Sequence, residues 1–304
     1  MSRMTFLNHG SPGPTMDRRR FLQMAAALAS VALSGRAGAA GLPWPATFPG
    51  GFAVVDLGAG RRAPVVRFNG ERVLVSGNQS GWLAIVGIPL DSKPGRAPPV
   101  TIQHATGTPR VMHFTISAKH YDSEYLTIKS DQVDPNPLDL ARYETERAHT
   151  QSALRIYSDT VPASLLLTQP CQGIRSHTFG MIRFLNGQPR GPHNGTDIAA
   201  EIGTPVVAAG AGEIIDIGDY FYSGTTAMIN HGRGFITLYA HLGQIDVKLG
   251  KRVTAGQRIG KVGVTGRTTG PHLHFGVYLN AAAVDPGLFL PWRAARPVLA
   301  AFQS

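Results

Sequence analysis

The sequence predicts a mainly β protein, on three observations. Its 36 glycines and 22 prolines in 304 residues mark many turns and short strands rather than long helices. Short runs rich in Val, Ile, Phe and Tyr recur between Gly, Pro, Asn and Asp. Near-helical spacing is confined to one stretch beyond Pro137. The length exceeds the roughly 100–200 residues of one domain, so two domains and a leader are expected. A single cysteine, Cys171, excludes an intrachain disulfide.

The expected divisions are an export signal over 1–39, a small β-rich domain over 40–132, a helical linker over 133–160, a second β-rich domain over 161–295 and a tail over 296–304. The leader reads Asp17-Arg18-Arg19-Arg20-Phe21-Leu22, then an apolar run from Met24 to Leu33, then Ala37-Gly38-Ala39. Charge, apolar segment and a small-residue site in that order specify a cleavable signal, here similar to the twin-arginine type. Its apolar run is shorter than the roughly 20 residues that span a bilayer, so no stable membrane insertion is expected after cleavage. Residues before Met16 fall outside the pattern and suggest an over-extended start.

Of the 29 basic residues five precede residue 40, and of the 19 acidic residues one does, so 24 oppose 18 in the remainder. That excess suits an anionic surface. No arginine-rich helix or basic run interleaved with aromatics is present, and nucleic acid is not an expected partner.

In the first β domain, strands are expected over Val65–Phe68, Arg72–Ser76, Gly81–Ile88, Val100–His104 and Arg110–Ile116 in a sandwich-like or barrel-like antiparallel arrangement. His104, His113 and His120 are scattered among them, the pattern of ordinary partly exposed histidines. After Pro137 the pattern of Leu138, Leu140, Ala141, Tyr143, Ala153 and Leu154 predicts the linker helix.

The second domain holds His193-Asn194-Gly195-Thr196-Asp197 and, further on, His272-Leu273-His274. Imidazole nitrogens and a carboxylate oxygen are the ligands of catalytic zinc, which takes three protein groups and leaves one position for water. In a strand, His272 and His274 project to one face while Leu273, Phe275 and Val277 point into a core. Gly195 argues against a helix, which places His193 at a loop or strand end with Asp197 opening the next strand. The run Phe235 to Leu242 alternates, and alternation puts Tyr239 and His241 on a common face. His231 and His177 sit in turn or loop settings. Cys171 lacks an adjacent base, and the glycines from Gly263 to Arg267 read as turns.

The blocks His193-x-Gly195-x-Asp197, Tyr239-Ala240-His241-Leu242 and Gly270-Pro271-His272-Leu273-His274-Phe275 resemble those of the lysostaphin and LytM type of zinc peptidases, which have the duplicated hybrid motif fold and cut peptidoglycan cross-bridges. The resemblance covers about Gln169 to Asp285 and shows no departure in the ligand and histidine motifs. It implies an antiparallel β-sheet catalytic domain, one Zn²⁺ per chain on His193, Asp197 and His274, and His241 and His272 as the catalytic pair beside the metal-bound water. It implies a metallo-endopeptidase acting on peptidoglycan stem peptides. The leader adds export, to the periplasm or cell envelope in a two-membrane bacterium and to the outside in a single-membrane one, and the periplasmic setting favours a D-alanine to diaminopimelate cross-link over a glycine bridge. Two alternatives stand beside it: a catalytically silent peptidoglycan-binding or amidase-activator protein on the same fold, against which the intact His193, Asp197, His241, His272 and His274 count, or a zinc peptidase acting on a peptide outside the wall. The loops over Arg175–Gly191 and Gly218–Thr226 are expected to wall the groove.

Overall fold

A computed structural model describes residues 42–128 and 133–291. The leader and the carboxyl-terminal tail expected from the sequence lie outside the described residues. The described chain is dominated by antiparallel strands.

Near the amino terminus, strands Phe52–Gly58, Gly81–Gly87 and Leu74–Asn78 form one antiparallel sheet with Gly81–Gly87 in the middle. A second sheet joins Glu71–Arg72, Val65–Phe68, Val100–Gln103 and Arg110–Met112. The run expected as one strand from Arg110 to Ile116 is split, because Thr115–Ile116 leaves that sheet to pair with Gly95–Arg96. Alternation gives the middle strand two apolar faces. Ala84 and Val86 pack with Val66, Phe68, Val100 and Ile102, while Leu83 and Ile85 join Phe235, Leu279 and Phe289 of the carboxyl-terminal core. One thin sheet therefore belongs to two cores. Gly87 extends the junction through its amide, which donates to Asn280 Oδ1 at 2.7 Å, and its carbonyl, which accepts from Asn280 Nδ2 at 3.1 Å.

The helix Pro137–Leu154 starts where the Asn136 side chain accepts from the Leu138 and Asp139 amides at 2.9 and 3.0 Å, with Pro137 in the first turn, where its missing N–H costs nothing. Of its residues, Ala153 and Leu154 are buried. Polar contacts hold the rest: the Arg142 guanidinium on the Asp219 carbonyl, Glu146 on the Phe221 amide, and His149 on Asp216.

The large sheet runs Ile174–Arg175, Thr196–Ala199, His272–Leu279, Phe235–Ala240, Gly224–Gly232, Gly212–Tyr220 and Arg252–Val253, and Ala282–Val284 also pairs with His272–Leu279. Leu273, Phe275, Val277 and Leu279 point into the main core with Ile198 and Tyr239. Completely burying each such side chain contributes about 1.5–3 kcal/mol. A side sheet joins Ser123–Leu126, Ile182–Leu185 and Gln188–Pro192, and its Ser123–Leu126 strand runs parallel to Ile182–Leu185.

Candidate metal centre

Two adjacent strands and one loop build the site. Asp197 lies opposite His274 in the antiparallel register, and the next strand sets Ala240 against His274 on its other side. His193 arrives from the loop that follows Gln188–Pro192. Gly195 makes that approach possible, because a β-carbon there would lie 2.6 Å from the Phe275 carbonyl oxygen and 2.7 Å from the His274 ring. Backbone bonds fix the loop: the His193 amide donates to Met181 and its carbonyl accepts from Gly180.

The three polar atoms converge. His193 Nε2 is 2.9 Å from His274 Nδ1, His274 Nδ1 is 3.0 Å from Asp197 Oδ1, and His193 Nε2 is 3.1 Å from the same oxygen. Two imidazoles and a carboxylate so arranged can hold a metal ion. Burial acts first on the His193 ring, lowering its pKa to about 4, with neighbouring His274 adding to the effect and Asp197 opposing it. For Asp197, burial alone would raise the carboxyl, but hydrogen bonds from His193 and His274 outweigh it and hold the group well below the usual carboxylate range.

His241 and His272 stand beside this cluster with their rings 4.7 Å apart. Each has its Nδ1 on a backbone carbonyl, His241 on Thr265 at 2.8 Å and His272 on Gly270 at 2.8 Å. A carbonyl only accepts, so Nδ1 carries the hydrogen and the neutral ring keeps its lone pair on Nε2. His272 Nε2 is 3.7 Å from Asp197 Oδ1, outside the triangle of shorter contacts. Burial, with the nearby His274 and His272 rings, lowers the His241 pKa to about 3.

One expectation is corrected. Tyr239 does not share a face with His241: it is buried against Phe275, and its hydroxyl accepts from the Ala209 amide at 2.8 Å. The strand ends at Ala240, and His241 takes a φ of 61°, which breaks the alternation and turns its ring to the histidine side. That left-handed conformation is uncommon for a side-chain-bearing residue. It is held by the His241 amide on Ser223 and its carbonyl on Gly263.

Other histidines lie elsewhere. His231 is buried with Nδ1 on the Ala211 carbonyl and Nε2 on Thr237 Oγ1, a fully used structural ring. His177 lines a separate recess with His120, and His113 bonds the Ala97 carbonyl in the amino-terminal unit. Cys171 is buried, which pushes its thiol up to about 12 and removes it as a nucleophile.

Several contributors carry no motif. Thr178 Oγ1 meets His193 Nδ1 at 2.9 Å, Arg183 binds the second oxygen of Asp197 at 2.8 Å, and Thr265 turns out to orient His241 from within a glycine-rich turn. A groove of about 690 Å³ crosses the site between the helix and the sheet, lined by Tyr143, Arg190, Tyr222, Arg267 and the histidines 193, 241 and 274. On the far side of Asp197 a smaller recess of about 390 Å³ meets Glu124, Arg175 and His272. Both expected loop segments contribute to these walls, the first of them folded largely as a hairpin.

Residues 191–286 match the model of peptidase family M23, and residues 46–119 match that of the peptidase family M23 N-terminal domain. Peptidoglycan DD-endopeptidase ShyA of Vibrio cholerae is 47% identical over 94 residues, 31% of this chain and 22% of that protein. The DD-carboxypeptidase/endopeptidase Mpg of Neisseria meningitidis is 46% identical over 94 residues, with the same shares. The match thus spans about a fifth of the length of these curated relatives. A crystal structure from Pseudomonas aeruginosa, provisionally described as a peptidase M23, has a TM-score of 0.69 and 41% identity, covering 80% of this chain and 95% of its own. With the histidine and aspartate cluster inside the matched region and likeness over nearly the whole of that solved chain, the protein belongs to peptidase family M23.

Proposed function

We propose that the chain is a zinc-dependent endopeptidase that hydrolyses peptide cross-links of bacterial peptidoglycan. The observation that carries this reading is the triangle of His193 Nε2, His274 Nδ1 and Asp197 Oδ1, with edges of 2.9 to 3.1 Å. Two ligands of a tetrahedral zinc with bonds near 2.05 Å are about 3.3 Å apart, so the three residues fit one Zn²⁺ per chain. Zinc there would supply a water with a pKa near 7 and a Lewis acid for the scissile carbonyl.

His241 and His272 are assigned the proton transfers. Their hydrogen-bonded Nδ1 atoms leave Nε2 to accept a proton from the attacking water. Once protonated, the same atom can donate to the developing oxyanion or return the proton to the leaving amine. His272 stands outside the ligand triangle, in keeping with this division. The groove on either side of Asp197 suits an extended peptide.

Peptidoglycan is inferred from the DD-endopeptidase relatives, whose description favours a bond between D-centres over a glycine bridge. The twin-arginine-like leader supports an exported, periplasmic or envelope location. Among the described residues no helix is long and apolar enough to cross a membrane.

The test pairs zinc content with release of soluble fragments from purified peptidoglycan, with and without chelator. About one zinc per chain and chelator-sensitive release are expected, as a single three-ligand site requires. A zinc-loaded chain that releases nothing would sink the peptidoglycan reading, and a chain that takes up no zinc would sink the enzyme.

A further inference from the structure

We propose that Glu124 and Arg183 form a positioning relay that sets the orientation of Asp197 for metal binding; this rests on the zinc reading above. Arg183 donates from Nε to Glu124 Oε2 at 2.7 Å and from Nη2 to Asp197 Oδ2 at 2.8 Å. The planar fork fixes both directions at once, which a lysine ammonium does not do. With Oδ2 tied down, Oδ1 is left facing His193 and His274.

The relay is built by unusual strand pairing. Ser123–Leu126 runs parallel to Ile182–Leu185 and sets Glu124 opposite Arg183. Both side chains are about three-quarters shielded from solvent, so their hydrogen bonds are poorly replaced by water. Both residues lie between the stretches matched to the two family models, 46–119 and 191–286. The relay is therefore a feature of the intervening segment of this chain.

Charge and geometry make opposite forecasts for its loss. A guanidinium near a cation site repels the cation, so removing it should tighten zinc if Coulomb energy alone mattered. Glu124 already balances that charge, and loss of the relay frees Asp197 to rotate. Outer-shell partners of metal ligands typically contribute 10- to 100-fold in affinity.

The experiment measures the zinc dissociation constant of the full chain by competition with a chromophoric chelator, with circular dichroism of each metal-free protein as the fold control. For Arg183→Gln an affinity weaker by about 10- to 100-fold is expected. Arg183→Lys, which keeps the charge and loses the fork, should weaken binding in the same direction and carries the test if the glutamine variant does not fold. Glu124→Gln should weaken binding less, and should add nothing in the Arg183→Gln background. Unchanged or tighter zinc binding in a folded Arg183→Gln or Arg183→Lys protein overturns the relay and leaves the peptidase reading standing. Independent, additive losses in the double variant also overturn it. A wild-type chain that binds no zinc overturns both.

Discussion

The central sheet has two faces made from the same strands, and they answer to different physics. On one, Leu273, Phe275, Val277, Leu279, Ile198 and Tyr239 are fully buried. On the other, the alternate positions His272 and His274 stand beside Asp197 and line the recesses over the sheet. Replacing one core residue there costs volume, while replacing one residue of the site costs chemistry. Strand alternation positions the site: a well-packed rear face sets where the front-face atoms lie to within hydrogen-bond distance.

The comparison breaks most sharply at the proposed ligands. His274→Ala should lose bound zinc and reduce turnover to background, by more than the 10²- to 10⁴-fold assigned to a proton-transfer group. Near-normal zinc content measured by metal analysis would contradict that. Next, His241→Ala and His272→Ala should keep about one zinc per chain and lose about 10²- to 10⁴-fold in kcat, so the pair of metal content and rate separates them from the ligands. On the rear face, Phe275→Ala should cost about 3–5 kcal/mol of stability in urea unfolding while the folded fraction still binds zinc. Intact stability would mean that the Phe275 ring contributes little to the packing of this face.

His231 sharpens the contrast through pH. Burial lowers its pKa to about 4, below the ordinary value of 6.5, so the folded ring stays neutral where the unfolded one protonates. The unfolded state then binds more protons between pH 6.5 and 4, and stability falls as pH falls through that window, by up to about 1.4 kcal/mol per pH unit. In metal-free protein, where the buried His193 and His241 add to the same slope, His231→Asn should lower stability at pH 7 and make the slope shallower by the His231 share. An unchanged slope in urea midpoints would remove His231 as a contributor. The smallest effect belongs to the helix surface, where Leu138 is 83% exposed and Leu138→Ala should shift stability by no more than about 0.5 kcal/mol.

Much of this was legible in the sequence, for identifiable reasons. The period of two in His272 to Val277 named both faces, and Gly195 marked a close approach that only a missing β-carbon allows. The strand Val65–Phe68 and the helix beginning at Pro137 were legible from apolar runs and capping chemistry. Tyr239 and His241 part company because alternation holds only while the backbone stays extended, and the positive φ at His241 is a tertiary outcome, stabilised by Ser223 and Gly263. Arg183, Glu124 and Thr178 were illegible because they act through neighbours brought close by pairing, at separations no local pattern encodes. The split at Arg110 to Ile116 likewise depends on which partner strand is nearer.

The sheet that serves two cores has a consequence for modularity. Phe52 meets Phe289 at 5.3 Å between ring centres, and Asn280, in a turn of the large sheet, closes the backbone of Gly87. Excising the carboxyl-terminal part would lay bare an apolar flank and leave an amide without its acceptor, so the two parts are not freely interchangeable cassettes. Recombination between relatives would have to exchange both sides of this seam together, and a swap of one side alone should yield a sticky, poorly soluble hybrid.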